Sequence, residues 1–406
     1  MNNKNFKKFL LLWLGELISS IGGGLTAFGL GVYVFSQTGN ATSMALVTLL
    51  GFIPSLILSV PAGVLADKYD RRLLMIIGDG CSGLGIIYIL ICMLNGGATL
   101  LQVCLGVLIS SVFSSLLEPS FKATITDLLT KEEFSKANGL VSLAGSSKYL
   151  FSPIIAGFLL SISNINSLLI IDICTFIFTI IATAMVRKNI KTKRINSMNS
   201  LIKGFKKGWN TIYSNKGIFM LILVSALITL FMGILQVLIE PMVLSFTDSK
   251  TLGIAETICA FGMLVSSVFL GVYGIKKRYV KVLSFALVIS GISMIGMGIL
   301  ENIVIICIFG MFFFLALPFA NNCLDYLVRT NIPDEFQGRS WGLIGFISQL
   351  GYVLAYSISG IMADSLGIIT NQGVGRGSAY IIQIAGICLI ITALSISAIK
   401  KVKKLE

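Results

Sequence analysis

The sequence predicts an all-α polytopic membrane protein: twelve transmembrane helices arranged as two pseudo-symmetric six-helix bundles. Three observations predict it. Of the 406 residues, 55% are hydrophobic and only 12% charged, with a mean hydropathy of +0.92, whereas soluble domains carry roughly 25% charged residues. Apolar stretches of membrane-crossing length recur along the whole chain. The basic residues gather on alternate connections between those stretches.

A helix needs about 20 largely apolar residues to cross the hydrocarbon layer. Such stretches run at roughly 9–36, 42–66, 73–95, 99–126, 137–162 and 166–187, then 217–246, 251–275, 279–300, 302–328, 338–366 and 378–400. The first follows Lys7 and Lys8, but its apolar run continues past signal-peptide length without an A-x-A site, so a retained helix is expected. With both termini in the cytoplasm, 28 of the 31 Lys and Arg residues fall on inner segments. Lys250 and Arg376 remain outside, and Lys148 lies within the fifth span. A span count wrong by one would scramble this segregation.

The longest polar stretch falls near the midpoint and divides the spans six and six. The expected organisation is an N-terminal bundle at 1–187, a cytoplasmic basic linker at 188–216 and a C-terminal bundle at 217–406. The net charge of +13 sits in short runs between apolar spans, which suits anchoring beside anionic lipid and not a nucleic-acid surface. There is no histidine, so His-based acid–base catalysis and His metal sites are excluded. The eight cysteines lie in apolar stretches without a C-x-x-C pair and read as small packing residues, with no metal site expected.

The halves repeat each other weakly. Gly51 and Gly63 in the second span are twelve apart and precede a basic loop, as are Gly262 and Gly274 in the eighth. Glu133-Phe134 and Glu335-Phe336 occupy corresponding connections. Duplicated six-helix halves are a transporter architecture, with a midplane site between repeats and alternating access.

The loop after the second span reads GVLADKYDRRLLM. It resembles the signature of the major facilitator superfamily, with Gly63, Leu65, Asp67, Lys68, Arg71 and Arg72 matching and Asp70 standing where the second glycine belongs. In the fifth span, Ser152, Pro153 and Gly157 form a degraded antiporter-like motif. Residues 118–139 and 331–339 resemble the branch that holds macrolide-efflux proteins and enterobactin exporters.

The resemblance implies a gate. Asp67 ends the second span at the cytoplasmic face, where the eleventh begins nearby, around Gly338. A carboxylate facing a helix N-terminus gains from the macrodipole and the unpaired N–H groups, so Asp67 would latch the cytoplasmic side closed. Arg71 or Arg72 is expected to pair with Asp127. Repeat two lacks the acid, because Arg278 aligns where Asp67 would.

Charges inside spans are costly and therefore functional candidates. Glu16, Glu118, Lys148, Asp172, Asp79 and Asp325 are the proton-coupling or substrate candidates, Glu16 first and Glu118 second. Lys148 should find a carboxylate partner in Glu118 or Glu16. Asp79 and Asp325 read as gate or anchoring charges near the inner surface, and Glu240 and Glu256 as residues at the outer water line. Aromatic and Met side chains on spans 1, 4, 7, 10 and 11 suit an apolar, adaptable cavity.

The expected function is secondary active efflux of hydrophobic or amphipathic drugs such as macrolides, exchanged for protons, by a monomer in a bacterial plasma membrane. The proton motive force would supply the energy, with no cofactor. A siderophore or another endogenous metabolite is the alternative substrate. A lipid-modifying membrane enzyme is the reading from another class; it lacks the histidines and the D-D-x-x-D cluster it would need, and no Walker A loop is present for ATP-driven pumping.

Overall fold

A lipid-embedded backbone must satisfy its polar groups internally, which leaves helices as the means of crossing for a chain with these long apolar runs. The computed structural model describes residues 3–130, 132–187, 216–331 and 337–398. The basic midpoint residues 188–215, the repeat-two stretch 332–336 with Glu335 and Phe336, and the C-terminal lysines lie outside the described residues.

The described chain is helical, with no strand among the described residues. The first half comprises α1 (Asn3–Thr38), α2 (Ala41–Lys68), α3 (Arg71–Leu94), α4 (Leu100–Ser114), α5 (Leu117–Leu128), α6 (Phe134–Leu150), α7 (Ser152–Ile162) and α8 (Ile165–Arg187). The second comprises α9 (Lys216–Leu244), α10 (Ser249–Tyr273), α11 (Tyr279–Ile299), α12 (Ile303–Asn331), α13 (Gln337–Ile369) and α14 (Gly373–Ala398). Twelve helical stretches are long and apolar enough to cross a membrane.

Two expected spans are interrupted. The fourth is α4 followed by α5, and the fifth is α6 followed by α7. Each break lies just before a proline, Pro119 or Pro153, whose ring removes a backbone donor and suits a first helical turn. Pro54, Pro61, Pro241 and Pro318 instead lie inside unbroken helices, as membrane helices tolerate.

The chain forms two compact units. The first is Met1–Thr38 with Leu46–Asn196, and the second is Gly39–Ala45 with Ser197–Glu406. In the first, α1 packs on α6, α7 and α8, and α3 on α4, α5 and α8. In the second, α11 packs on α12 and α14, and α9 on α13 and α14. Lipid gives no hydrophobic drive between helices, so close approach at small residues carries the packing. A Cβ on Gly85 of α3 would collide with the Gly106 carbonyl oxygen of α4. In the second unit, Gly291 of α11 and Gly386 of α14 are mutual neighbours, each with a virtual Cβ 2.6 Å from the other's carbonyl oxygen.

The repeat is imperfect at its loops. Gly63 lies inside α2, whereas Gly274 stands beyond the end of α10 with φ of 61°. Arg278 immediately precedes α11, the position that Asp70 holds before α3. Its structural counterpart is therefore Asp70.

Candidate functional site

The turn between α2 and α3 gathers the charges of the GVLADKYDRR motif. Asp127, on the last turn of α5, receives both arginines: Arg71 Nη1 donates to Oδ1 at 2.7 Å and Arg72 Nη2 to Oδ2 at 3.0 Å. Arg71 also donates to the carbonyls of Ala66 and Ala123. The Arg72 side chain is 1% exposed. Asp67 is 60% exposed and stands 3.7 Å from Arg71. Lys68 lies over the Tyr69 ring, and a Cβ on Gly63 would meet nothing within 4 Å.

Asp70, the departure from the signature, caps α3. Its Oδ1 accepts the Arg72 N–H at 3.1 Å and its Oδ2 accepts from Arg187 Nε at 2.8 Å. Burial disfavours the Asp70 charge, but the Arg187 guanidinium and the Arg72 N–H outweigh it and hold the carboxyl below its ordinary value. An aspartate thus does here what a glycine cannot, tying the α2–α3 turn to the end of α8.

Deeper in the first unit, Asp172 of α8 is 1% exposed. Thr26 of α1 donates to its Oδ2 at 2.7 Å, and Thr175 stands 3.3 Å from its Oδ1. Gly22 makes the room: a Cβ there would lie 2.7 Å from Asp172 Oδ1 and 2.6 Å from Thr175 Oγ1. Asp79 of α3 is buried beside Thr179 and interacts electrostatically with Glu16 and Asp172. Glu16 in turn feels the charge of Glu118. Four acids from four helices thus form one electrostatic group.

Lys148 departs from expectation. Its charge acts on Asp172, while Glu118, 77% exposed, pairs with Lys122 one turn along α5. The break before Pro119 places Glu118 in the first turn of a new helix, where its i+4 lysine is within reach. Ser152 begins α7 and donates to the Ile21 carbonyl of α1 at 3.0 Å, and Pro153 and Gly157 are buried in the same short helix. Asp325 is exposed on α12, one turn before Arg329.

The sequence matches the Major Facilitator Superfamily over residues 12–356. The chain belongs to that superfamily. Macrolide efflux protein A of Streptococcus pyogenes is 26% identical over 390 residues, covering 94% of this chain and 95% of that protein. The multidrug efflux pump Tap of Mycolicibacterium fortuitum is 21% identical over 385 residues, covering 91% and 92%. Among solved structures, a bacterial homologue of the iron transporter ferroportin superposes with a TM-score of 0.76 at 15% identity, covering 97% of this chain and 99% of that one. As a Major Facilitator Superfamily member, the chain is a multi-pass membrane transporter of a small molecule and not an enzyme.

This superfamily chain also carries a polar seam in its second unit that periodicity did not single out. Ser348 of α13 donates to Ser225 of α9 at 2.8 Å, Thr229 bonds the Ser348 carbonyl, and Tyr356 donates to Gln236 Oε1 at 2.7 Å. Hydroxyls and amides on two apolar helices were the available signal, but single polar residues do not reveal which helix they face. Glu240, expected at the outer water line, is partly enclosed by protein near the end of α9. Its Oε2 is buried without a hydrogen-bond partner among the described residues, and Glu256 of α10 acts on it electrostatically. All eight thiols are free, and no three metal-ligating side chains cluster among the described residues.

Proposed function

We propose that the protein is a proton-coupled exporter of hydrophobic and amphipathic drugs, macrolide antibiotics among them, working by alternating access in a bacterial cell membrane with both termini cytoplasmic. The observation that carries the proton step is Asp172, held by two threonine hydroxyls with the Lys148 charge acting on it. A hydroxyl donates to a carboxylate and accepts from a carboxylic acid, so Thr26 can donate to the charged form, and Thr175, whose proton goes to the Asp172 backbone carbonyl at 2.7 Å, can accept from the neutral one. Asp79 and Glu16 extend the group towards Glu118, giving a proton several carboxyls along its way. The Asp67 side chain, exposed and only loosely held, serves as the gating acid.

The drug class rests on the relatives, two of which are named for macrolide and multidrug efflux. The Staphyloferrin A transporter of Staphylococcus aureus, 24% identical over 372 residues, supports siderophore export as the second reading. The test is retention of a radiolabelled macrolide in cells with and without expression. Expression should lower retention, a protonophore should abolish the effect, and Asp172→Asn and Glu16→Gln should weaken it. Unchanged retention would remove the drug reading, and protonophore-insensitive export would remove proton coupling.

A further inference from the structure

A lysine stands in the middle of a crossing helix of the first unit. The fifth membrane-crossing stretch runs from Lys136 to Ile162, and Lys148 lies about 18 Å along the axis from its start at 1.5 Å per residue. A lysine near a helix end snorkels its ammonium to the interface; this one is too deep for that. It is nevertheless exposed. Its stem lies against α1 because Gly24 has no side chain: a Cβ there would sit 3.0 Å from Lys148 Cγ and would collide with Ser152 Oγ. The exposure therefore belongs to the outer end of the side chain.

The helix face next to it is polar. Asn138, Ser142, Gly145 and Tyr149 recur on α6 at the spacing of one helix face, and all four are exposed, as is Lys148 at their edge. A Cβ on Gly145 would meet nothing within 4 Å. Hydrocarbon does not solvate an ammonium or a row of polar groups, so this side of the first unit faces water. The unit's own acids do not neutralise the lysine. Among the described residues Lys148 forms no ion pair: Glu118 is taken by Lys122, Asp127 by Arg71 and Arg72, and Asp70 by Arg187. Its charge acts on Asp172, but that carboxylate is 1% exposed, with threonine hydroxyls at both of its oxygens.

We propose that Lys148 binds the carboxylate of an amphipathic substrate, with Gly145 leaving room on the open face of α6 and Tyr149 offering a ring to the apolar body. A neutral or cationic molecule that displaced water from this place would leave the ammonium uncompensated, whereas a carboxylate supplies a charge-assisted hydrogen bond. Lipid headgroups stay at the interface and do not reach this depth. The inference rests on the transporter reading and adds a substrate class to it, amphiphiles that carry an acid group, without depending on macrolides.

The test uses the purified full-length protein and two probes that share one body, radiolabelled cholate and its neutral methyl ester. In saturable binding the wild type should prefer cholate to the ester roughly tenfold. Lys148→Gln should bring the two affinities together by weakening cholate alone, and Lys148→Arg should keep the preference. Equal affinity of the wild type for acid and ester overturns the site, as does failure to bind cholate or a preference that survives in Lys148→Gln. Lys148→Cys separates charge from packing on α1. It should lose the preference and regain it on reaction with aminoethyl methanethiosulfonate, which restores an ammonium, while the treated wild type is unchanged. A preference that is not restored overturns the site. Macrolide retention in cells reads the other proposal: no macrolide export with the cholate preference intact removes the drug assignment and leaves the anion site standing.

Discussion

Arg72 and Asp127 form the most enclosed ion pair among the described residues of the first unit, Nη2 to Oδ2 at 3.0 Å, with the guanidinium almost wholly out of solvent. Asp127 gives its other oxygen to Arg71, so one carboxylate at the end of α5 secures two consecutive arginines at the start of α3. Removing one partner of such a pair leaves an uncompensated buried charge, which costs far more than the pair contributes.

Asp127→Ala should therefore destabilise the protein by about 3 kcal/mol, read as a lower unfolding temperature in detergent and less folded protein in the membrane. Arg71→Ala should cost less, because Arg71 is less enclosed and Arg72 would keep Asp127 as a partner. Equal unfolding temperatures for Asp127→Ala and the wild type would contradict this account of the cluster.

Asp67→Asn should separate stability from transport. An exposed pair at 3.7 Å contributes about 0–1 kcal/mol, so the unfolding temperature should barely move while export falls. Wild-type export by this variant would refute the gating role.

The Asp70 cap should show a pH signature. Its carboxyl is held below its ordinary value by Arg187 and the Arg72 N–H against the cost of burial, so the contribution is present above roughly pH 4 and disappears as pH falls below it. Asp70→Asn keeps the capping geometry but loses the charge, so it should be less stable than the wild type by up to about 1 kcal/mol at pH 7, with the gap closing as acid protonates the wild-type carboxyl. A gap that is constant with pH would mean that the charge is not what matters.

Gly85→Ala should destabilise by about 1–3 kcal/mol, because the new methyl group meets the Gly106 carbonyl and the Ser110 backbone N–H, neither of which can turn aside. Gly23→Ala is the matched control: a Cβ there meets nothing within 4 Å, and alanine favours the helix. Thermal unfolding of the two variants side by side decides it.

The sequence by itself determined the twelve crossings, because the length of an apolar run against hydrocarbon thickness is a one-dimensional quantity. The resemblance of its 63–75 loop to the superfamily signature further implied an arginine for Asp127, and both arginines reach it. Only the tertiary structure decided which polar groups meet inside. Lys148 acts on Asp172, with α6 and α8 both packed on α1, whereas the cost of an unpaired charge in a span said only that some carboxylate was needed, with Glu118 or Glu16 as the candidates. The fit of Asp172 depends on the missing side chain of Gly22, an absence that carries no signal along the chain. Hydropathy reports how deep a segment sits but not which neighbour its side chains face, and that choice is made when the helices pack.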